Sequence, residues 1–208
     1  MIIKVCGMRD ADNIRSIDLL PSVDWMGFIF YPHSSRFVSE VPGYLPQHCK
    51  RVGVFVNASI DEVERIVMTF HLDMVQLHGN ETPAYIYDLR QSLPASIRIL
   101  KMIPISGPSD LALATAYGNT IDFFLFETKC EGYGGSGQQF DWSVLQQYDG
   151  STPFLLTGGI GPDDMSKVAA FKHPRFAGID INSRFELSPA MKDAEAIRAF
   201  TQAIKEKL

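Results

Sequence analysis

Two residues at the ends of predicted strands could exchange protons with a substrate. Cys6 closes the segment IIKVC (2–6) and lies on the same strand face as Lys4. A thiol with an ordinary pKa near ~8.5 is partly thiolate at neutral pH, and could act as a base if Lys4 lowered that pKa. Glu127 ends the apolar segment DFFLFE (122–127) and could deliver a proton donor. The alternatives are a small core cysteine and an acid on a surface hairpin.

Polar residues near two other predicted strands suggest a binding pocket. Arg36 follows the loop YPHSS, just after the predicted strand at 24–30. Its planar fork suits a carboxylate, although a surface arginine is an equal alternative. Gln76 and His78 share one face of the predicted strand at 73–78. Two polar residues on one strand face favour a polar pocket over a core, because burying them would be costly.

The last two predicted strands are followed by segments suited to an anion. Gly158 and Gly159 lie in TGGIGPDD, and Asn182 and Ser183 lie in DINSRFE. Glycines let backbone N–H groups approach a phosphate, and these two loops are the usual phosphate site of a barrel. Asp180 precedes them on an inward face, where an unpaired carboxylate would be costly and Lys4 is its natural partner.

A glycine-rich segment follows the strand that ends at Glu127. GYGGSG (132–137) contains Gly134, Gly135 and Gly137. It lacks the GK[ST] of a nucleotide-binding loop. We interpret it as a cover that closes on the substrate.

Short apolar runs alternate with helical patterns along the chain. Ser59 and Glu62 form a capping box at one helix start, and Pro162 suits the first turn of another. A helix within 39–50, which contains two prolines, would be short. The predicted strands are 2–6, 24–30, 51–56, 73–78, 97–103, 122–127, 153–157 and 177–182.

This alternation is compatible with a doubly wound open sheet or with a closed (β/α)8 barrel. Strands of an open sheet covered by helices would be apolar on both faces. Here one face becomes polar toward the carboxyl ends of several strands, as Gln76 and His78 do beside Val75 and Leu77. We therefore predict an α/β fold, a single compact (β/α)8 TIM barrel over residues 1–208 with its active site at the C-terminal face of the strands.

Composition limits the partners and the compartment. The 208 residues are 46% hydrophobic and 21% charged, and the formal net charge is −5, which argues against nucleic acid as a partner. No apolar run of about 18 residues predicts a membrane span, and the N-terminus does not resemble a signal peptide. The three cysteines contain no CxxC, so neither a disulfide framework nor a metal site is expected. We expect a cytoplasmic protein.

Motifs spread along nearly the whole chain resemble one known family. KVCGM, GFIFYPHSSR, RVGVFVN, VQLHGNE, GGSGQQFDW, TGGIGPDD and MKD occur in this order. Together they resemble phosphoribosylanthranilate isomerase of tryptophan biosynthesis. The resemblance implies a barrel enzyme without a cofactor, a monomer or homodimer, and a small phosphorylated substrate.

The implied reaction is an Amadori rearrangement of N-(5-phosphoribosyl)anthranilate to 1-(2-carboxyphenylamino)-1-deoxyribulose 5-phosphate. An acid protonates the furanose ring oxygen and opens the ring to a Schiff base, and a base then removes the C2′ proton. On the matching positions Cys6 is the base and Glu127 supplies the acid. Arg36 would hold the anthranilate carboxylate, and the loops at Gly158–Gly159 and Asn182–Ser183 would hold the phosphate.

The chain departs from the family pattern at three places. Glu127 stands where the family has aspartate, Arg184 where the last-strand turn usually has glycine, and Ala190 where it has glycine after a proline. Glutamate keeps the carboxyl group but changes its reach. Arg184 adds a cation that could help to bind the phosphate or could simply face solvent. The alternatives to an active isomerase are another phosphosugar barrel enzyme and an inactive or binding-only relative.

Overall fold

Eight parallel strands form a closed barrel in chain order. The computed structural model describes residues 1–118, 120–129 and 139–206. The barrel strands are β1 (Ile2–Val5), β2 (Trp25–Ile29), β3 (Lys50–Phe55), β4 (Met74–Leu77), β5 (Arg98–Ile105), β6 (Phe123–Thr128), β7 (Phe154–Leu156) and β8 (Phe176–Ile181). The helices are α1 (Ala11–Asp18), α2 (Ile60–Phe70), α3 (Pro83–Ser92), α4 (Ala112–Thr115), α5 (Met165–Ala170) and α6 (Ala194–Lys205).

The pairing of β8 with β1 closes the barrel. Their parallel register sets Ile3 beside Ile179 and Lys4 beside Asp180. An open doubly wound sheet would leave two strand edges unpaired, so this pairing excludes that alternative and confirms the predicted barrel.

Alternation along the strands separates two buried layers. Ile3 and Val5 face outward into the core between strands and helices. The inward residues form a smaller apolar cluster: Trp25, Val52, Met74, Leu100, Phe123, Leu125 and Leu155. Each strand continues upward from this cluster with its next inward residue. Leu125, for example, is followed two positions later by Glu127. The apolar cluster therefore fills the barrel interior beneath the polar side chains at the carboxyl ends of the strands.

The predicted helix starts are observed. The Ser59 hydroxyl caps α2 by accepting the Glu62 N–H at 3.2 Å. Pro162 opens a 3₁₀ turn that continues into α5. Helix α6 buries Ile197 and Phe200 against the barrel. Among the described residues, no helix is both long and apolar enough to cross a membrane.

The short helix expected within 39–50 is wrong. Residues 30–49 are all described, and they form turns and bends without a helix. The Asp18 carboxylate, at the end of α1, accepts the N–H groups of Gln47 and Cys49 at 2.7 and 2.9 Å and the Tyr44 hydroxyl at 2.7 Å. One buried side chain thus satisfies donors that a helix would have paired internally.

A hairpin after β8 was not expected from the sequence. Strand β9 (Glu186–Ser188) pairs antiparallel with β10 (Met191–Lys192), and Lys192 lies opposite Glu186. The Asn13 side chain fixes the hairpin: its amide donates to the Lys192 carbonyl and its oxygen accepts the Lys192 N–H, both at 2.8 Å. This hairpin brings two charged side chains to the mouth of the barrel.

Candidate active site

A pocket opens at the carboxyl ends of the barrel strands. It collects the inward side chains of the strand ends and the loops that follow them. Its lining includes Cys6, Ile29, Tyr31, Ser34, Arg36, Val54, Val56, Gln76, His78, Glu127, Thr157, Gly158, Gly159, Ile160, Asp180, Asn182, Ser183 and Arg184. The structure therefore brings together in one pocket all of the predicted site residues that lie within its described ranges.

Cys6 lies immediately after β1, where its N–H donates to the Ile181 carbonyl at 2.9 Å. The side chain is buried, and Gly27 on β2 leaves room for it: a Cβ at Gly27 would lie 2.7 Å from the Cys6 Sγ. Burial raises the pKa of the Cys6 thiol, and the neighbouring Lys4 ammonium partly opposes that rise. The resting site therefore holds a thiol rather than a thiolate.

Lys4 and Asp180 form a buried ion pair below Cys6. Their Nζ and Oδ2 atoms are 2.8 Å apart, as expected from the strand alternation. Burial alone would lower the pKa of Lys4, but the neighbouring Asp180 and Cys6 outweigh it and raise that pKa overall. Lys4 is therefore an ammonium ion. Asp180 Oδ1 is buried without a hydrogen-bond partner in the described part of the chain. This oxygen is available to a donor that enters the pocket.

Three polar side chains form a row on the opposite side of the pocket: Gln76, then His78, then Glu127. The Gln76 Nε2 lies 3.0 Å from the His78 Nδ1. Because an amide nitrogen can only donate, Nδ1 accepts and the ring proton sits on Nε2. That Nε2 is 3.1 Å from the Glu127 Oε2, although the two atoms are not aligned as a hydrogen bond. Glu127 therefore has one close neighbour that can exchange a proton with it.

Arg36 reaches the pocket edge in a fixed orientation. Its Nε and Nη2 donate to the two carboxylate oxygens of Glu186 at 2.8 and 2.6 Å. Lys192 Nζ also donates to Glu186, and to the Asn182 Oδ1 at 2.7 Å. Burial alone would raise the pKa of Glu186, but its hydrogen bonds from Arg36 and Lys192 hold that pKa below its ordinary value. Gly7 permits this approach, since a Cβ there would lie 2.7 Å from the Arg36 Cδ.

The loops after β7 and β8 also line the pocket. Gly158 and Gly159 have φ angles of 85° and 67°, a conformation that L side chains rarely adopt. Asn182 and Ser183 face them from the end of β8. Arg184 lines the pocket too, exposed and without an ion-pair or hydrogen-bond partner among the residues that the structure describes. The arrangement offers backbone donors, hydroxyl and amide groups, and an unpaired cation.

Sequence reasoning missed Glu186 and Lys192, although both stand in segments that were singled out. Glu186 is the last residue of DINSRFE and Lys192 is the lysine of MKD. A charged residue in a short segment after the last strand was the available signal. The proposed cover glycines, Gly134, Gly135 and Gly137, lie outside the described residues. Within the described ranges, no three histidine, cysteine or carboxylate side chains are grouped as metal ligands would be.

A closed parallel barrel with a cysteine, a glutamate and a glycine-rich loop in the pocket at its mouth belongs to the class of (β/α)8-barrel enzymes. The family model of N-(5′-phosphoribosyl)anthranilate (PRA) isomerase matches residues 3–203. The chain belongs to this family.

Curated relatives match over essentially the whole chain. The chain is 49% identical over 208 residues to the N-(5′-phosphoribosyl)anthranilate isomerase of Phocaeicola vulgatus, covering 100% of both chains. It is 46% identical over 212 residues to that of Parabacteroides distasonis, covering 98% of this chain and 93% of the relative. The activity is therefore the isomerisation of phosphoribosylanthranilate in tryptophan biosynthesis.

Solved structures share the fold. The phosphoribosyl anthranilate isomerase of Thermus thermophilus is 25% identical with a TM-score of 0.83, covering 99% of both chains. A phosphoribosyl anthranilate isomerase solved with reduced 1-(o-carboxyphenylamino)-1-deoxyribulose 5-phosphate is 28% identical with a TM-score of 0.79, covering 99% of this chain and 100% of the other. Mutually generated monomers of the dimeric Thermotoga maritima enzyme give 28% identity and a TM-score of 0.78, with the same coverage.

Proposed function

We propose that the chain isomerises phosphoribosylanthranilate by acid–base catalysis, with Glu127 as the acid and Cys6 as the base. The observation that carries this proposal is that both residues line one pocket together with the Arg36 guanidinium and the glycine-rich loop at Gly158 and Gly159. The substrate has a carboxylate at one end and a phosphate at the other. Its reacting ribose therefore lies between them, against Cys6 and Glu127.

Glu127 protonates the furanose ring oxygen, and the C1′–O bond breaks as the anilino nitrogen forms a Schiff base. The proton moves from carboxyl to oxygen, so the acid becomes a carboxylate. His78 supports this role because its Nε2–H lies 3.1 Å from the Glu127 Oε2 and can stabilise that carboxylate. The orientation of the ring proton toward Glu127 depends on Gln76, whose amide holds the other nitrogen.

Cys6 then removes the C2′ proton, and the electron pair moves toward the Schiff-base nitrogen to give an enolamine. The raised pKa of the thiol makes its thiolate scarce but strongly basic. The cationic Schiff base and the adjacent Lys4 both favour the thiolate during this step. Tautomerisation to the ketone restores both groups, because the Cys6 thiol gives its proton to C1′ and the Glu127 carboxylate accepts the enol proton, so the reaction is balanced without an oxidant or a cofactor.

Binding of both ends of the substrate supplies orientation. Apolar side chains also line the pocket, including Ile29, Val54 and Val56, and suit the anthranilate ring. Arg36 binds the ring carboxylate. The backbone N–H groups at Gly158 and Gly159, with Asn182 and Ser183, bind the phosphate. Fixing both ends holds C2′ and the ring oxygen in place for proton transfer.

The remaining assignments complete the proposal. The chain acts as one catalytic domain. The protein acts as a monomer or a homodimer, which sedimentation analysis distinguishes. A reducing cytoplasmic location is supported by free thiols at Cys6 and Cys49, and cell fractionation with an antibody against the chain tests it.

The direct test is turnover. Purified protein is supplied with phosphoribosylanthranilate, and loss of the substrate is followed by fluorescence. We expect rapid conversion to the ribulose phosphate product. Folded protein that leaves the substrate unchanged would instead support a binding-only relative.

A further inference from the structure

Glu186 contacts one edge of the Arg36 guanidinium and leaves the other edge without a partner among the described residues, and Arg36 lines the pocket. We propose that Glu186 is a positioning residue, which fixes Arg36 so that its remaining edge receives the carboxylate of the substrate. The inference rests on the proposed role of Arg36, but it assigns a function to a residue outside the acid–base pair and the phosphate loops.

The geometry of the guanidinium defines the two edges. An arginine has five N–H donors arranged as a fork. Glu186 takes the edge formed by Nε and Nη2, at 2.8 and 2.6 Å. The other edge, formed by Nη1 and the outer hydrogen of Nη2, has no partner in the part of the chain that the structure describes. A second carboxylate can therefore bind Arg36 with two hydrogen bonds while Glu186 stays in place.

Glu186 is itself held by its surroundings. Its side chain is 5% exposed, and its Oε1 accepts the Ala190 N–H at 3.1 Å. Lys192 donates to the same oxygen, and the backbone of Lys192 is anchored by Asn13. The chain of contacts thus runs from helix α1 through the β9–β10 hairpin to the guanidinium.

The charges of this group explain why Glu186 does not cancel the attraction of Arg36 for an anion. Arg36 and Lys192 are cations and Glu186 is one anion, so the group carries a net positive charge. An Arg36–Glu186 pair alone would be neutral and would attract a carboxylate weakly. The side chain of Lys192 is fully buried, so it balances Glu186 without reaching the substrate itself.

Pre-orientation of Arg36 should act on one end of the substrate only. A free arginine loses much rotamer freedom when it binds a ligand, and a held arginine has already lost it. Gly158 and Gly159 belong to the loop after β7 and make no hydrogen bond to Arg36 or Glu186 among the described residues, whereas Asn182 is joined to Glu186 through Lys192. Because the backbone donors at Gly158 and Gly159 remain in place, loss of Glu186 should weaken recognition of the aromatic carboxylate much more than recognition of phosphate.

The test compares two fragments of the substrate as competitive inhibitors: anthranilate and inorganic phosphate. In Glu186→Gln we expect the KM for phosphoribosylanthranilate and the Ki for anthranilate to rise about tenfold. The Ki for phosphate should change less than about twofold, and kcat less than about threefold. Equal changes for both fragments, or no change in folded protein, would overturn the proposal.

Three further variants separate the possible causes. Glu186→Asp keeps the charge and should give the same selectivity with a smaller effect, about threefold, and it carries the test alone if the glutamine variant does not fold. Glu81→Gln removes a carboxylate from a comparably buried pair with Lys101 outside the pocket lining, and should lower Tm without fragment selectivity. If Arg36→Gln leaves anthranilate inhibition unchanged, the role of Arg36 is wrong. If Arg36→Gln weakens inhibition by anthranilate but Glu186→Gln leaves it unchanged, Arg36 keeps its role and only the positioning role of Glu186 is wrong.

Discussion

The two sides of the pocket differ in how their charged groups are paired. On the side formed by β8, β1 and the loop after β2, Lys4 binds Asp180 and Arg36 binds Glu186. On the side formed by β4 and β6, the Glu127 Oε2 lies 3.1 Å from the His78 Nε2 without an aligned hydrogen bond, and it has no hydrogen-bond partner among the described residues. We name these the paired side and the open side. On the paired side, ion pairs fix the side chains around the base Cys6. On the open side, groups that can exchange protons have no fixed hydrogen bond and can interact with the substrate.

Removal of the base should have the largest effect, because the paired side offers no replacement. The charged groups nearest to Cys6 are Lys4 and Asp180, which already form an ion pair with each other. We expect Cys6→Ala to lower kcat on the order of 10³- to 10⁴-fold, measured by the fluorescence assay. The fold should be retained, since a cysteine-to-alanine change in this small space leaves little cavity.

The pH profile is the matching control for Cys6. A thiol with a raised pKa is protonated at neutral pH, so the thiolate fraction grows as pH rises toward that pKa. For the wild-type chain, kcat/KM should therefore continue to rise above pH ~8.5, the ordinary thiol value. The residual activity of Cys6→Ala should lack this rise. A rise that persists in the variant would show that Cys6 is not the titrating base.

Removal of the acid should cost less, because the open side contains a second donor. Glu127→Gln keeps the size of the side chain but removes the acidic proton, while the Nε2–H of His78 remains 3.1 Å from position 127. We expect kcat to fall on the order of 10²- to 10³-fold. The double variant Glu127→Gln, His78→Ala should fall further, to a level near that of Cys6→Ala. If the single variant keeps near-normal kcat, Glu127 is not the acid.

Prediction from the sequence succeeded on the open side and on part of the paired side. Gln76, His78 and the Lys4–Asp180 pair follow from period-two alternation, a local pattern along single strands, and Glu127 from its place at the end of an apolar strand. The Arg36–Glu186 pair was not predicted, because it joins segments that are 150 positions apart. The hairpin that carries Glu186 is too short to give a strand pattern, and it is fixed by Asn13, 179 positions from Lys192.

The error in the β2–β3 connection has a similar cause. The local sequence predicted a short helix within 39–50, but the donors of this loop bind the Asp18 carboxylate on α1, 31 positions before Cys49. Barrel closure, in contrast, followed from the polar ends of several strands taken together. Patterns repeated on many elements were thus predictable, and so was a pair on two alternating strands, whereas polar contacts that join a loop or hairpin to a distant segment were not.

Shortening the acid should have a moderate effect and tests the reach of the open side. Glu127→Asp withdraws the carboxyl group by about one carbon–carbon bond, roughly 1.5 Å. The withdrawn group would lie farther from His78, so we expect an active enzyme with kcat lowered about tenfold, about 1.4 kcal/mol in barrier. Glu195→Asp, on an exposed face of α6, is the matched control and should leave kcat unchanged. A gain in kcat would mean that glutamate places the acid too far forward.

The smallest effect is expected at Arg184, which contrasts with the other pocket arginine. Arg36 is held by Glu186, whereas Arg184 is exposed and has no partner in the described ranges. An exposed cation is screened by water and salt, so its contribution to phosphate binding should be modest. For Arg184→Gln we expect the Ki for inorganic phosphate and the KM to rise about threefold, with kcat and anthranilate inhibition unchanged.

Ionic strength distinguishes a role in binding from a role in packing. If Arg184 attracts the phosphate through its charge, the threefold difference between wild type and Arg184→Gln should shrink as salt is raised, because the Debye length shortens from about 10 Å at 0.1 M to about 3 Å at 1 M. Arg198→Gln, which removes an exposed arginine from α6, should show no difference at any salt concentration. A phosphate Ki unchanged in Arg184→Gln at low salt would assign the phosphate end to the loops alone. The unpaired arginine would then differ from Arg36 in function as well as in contacts.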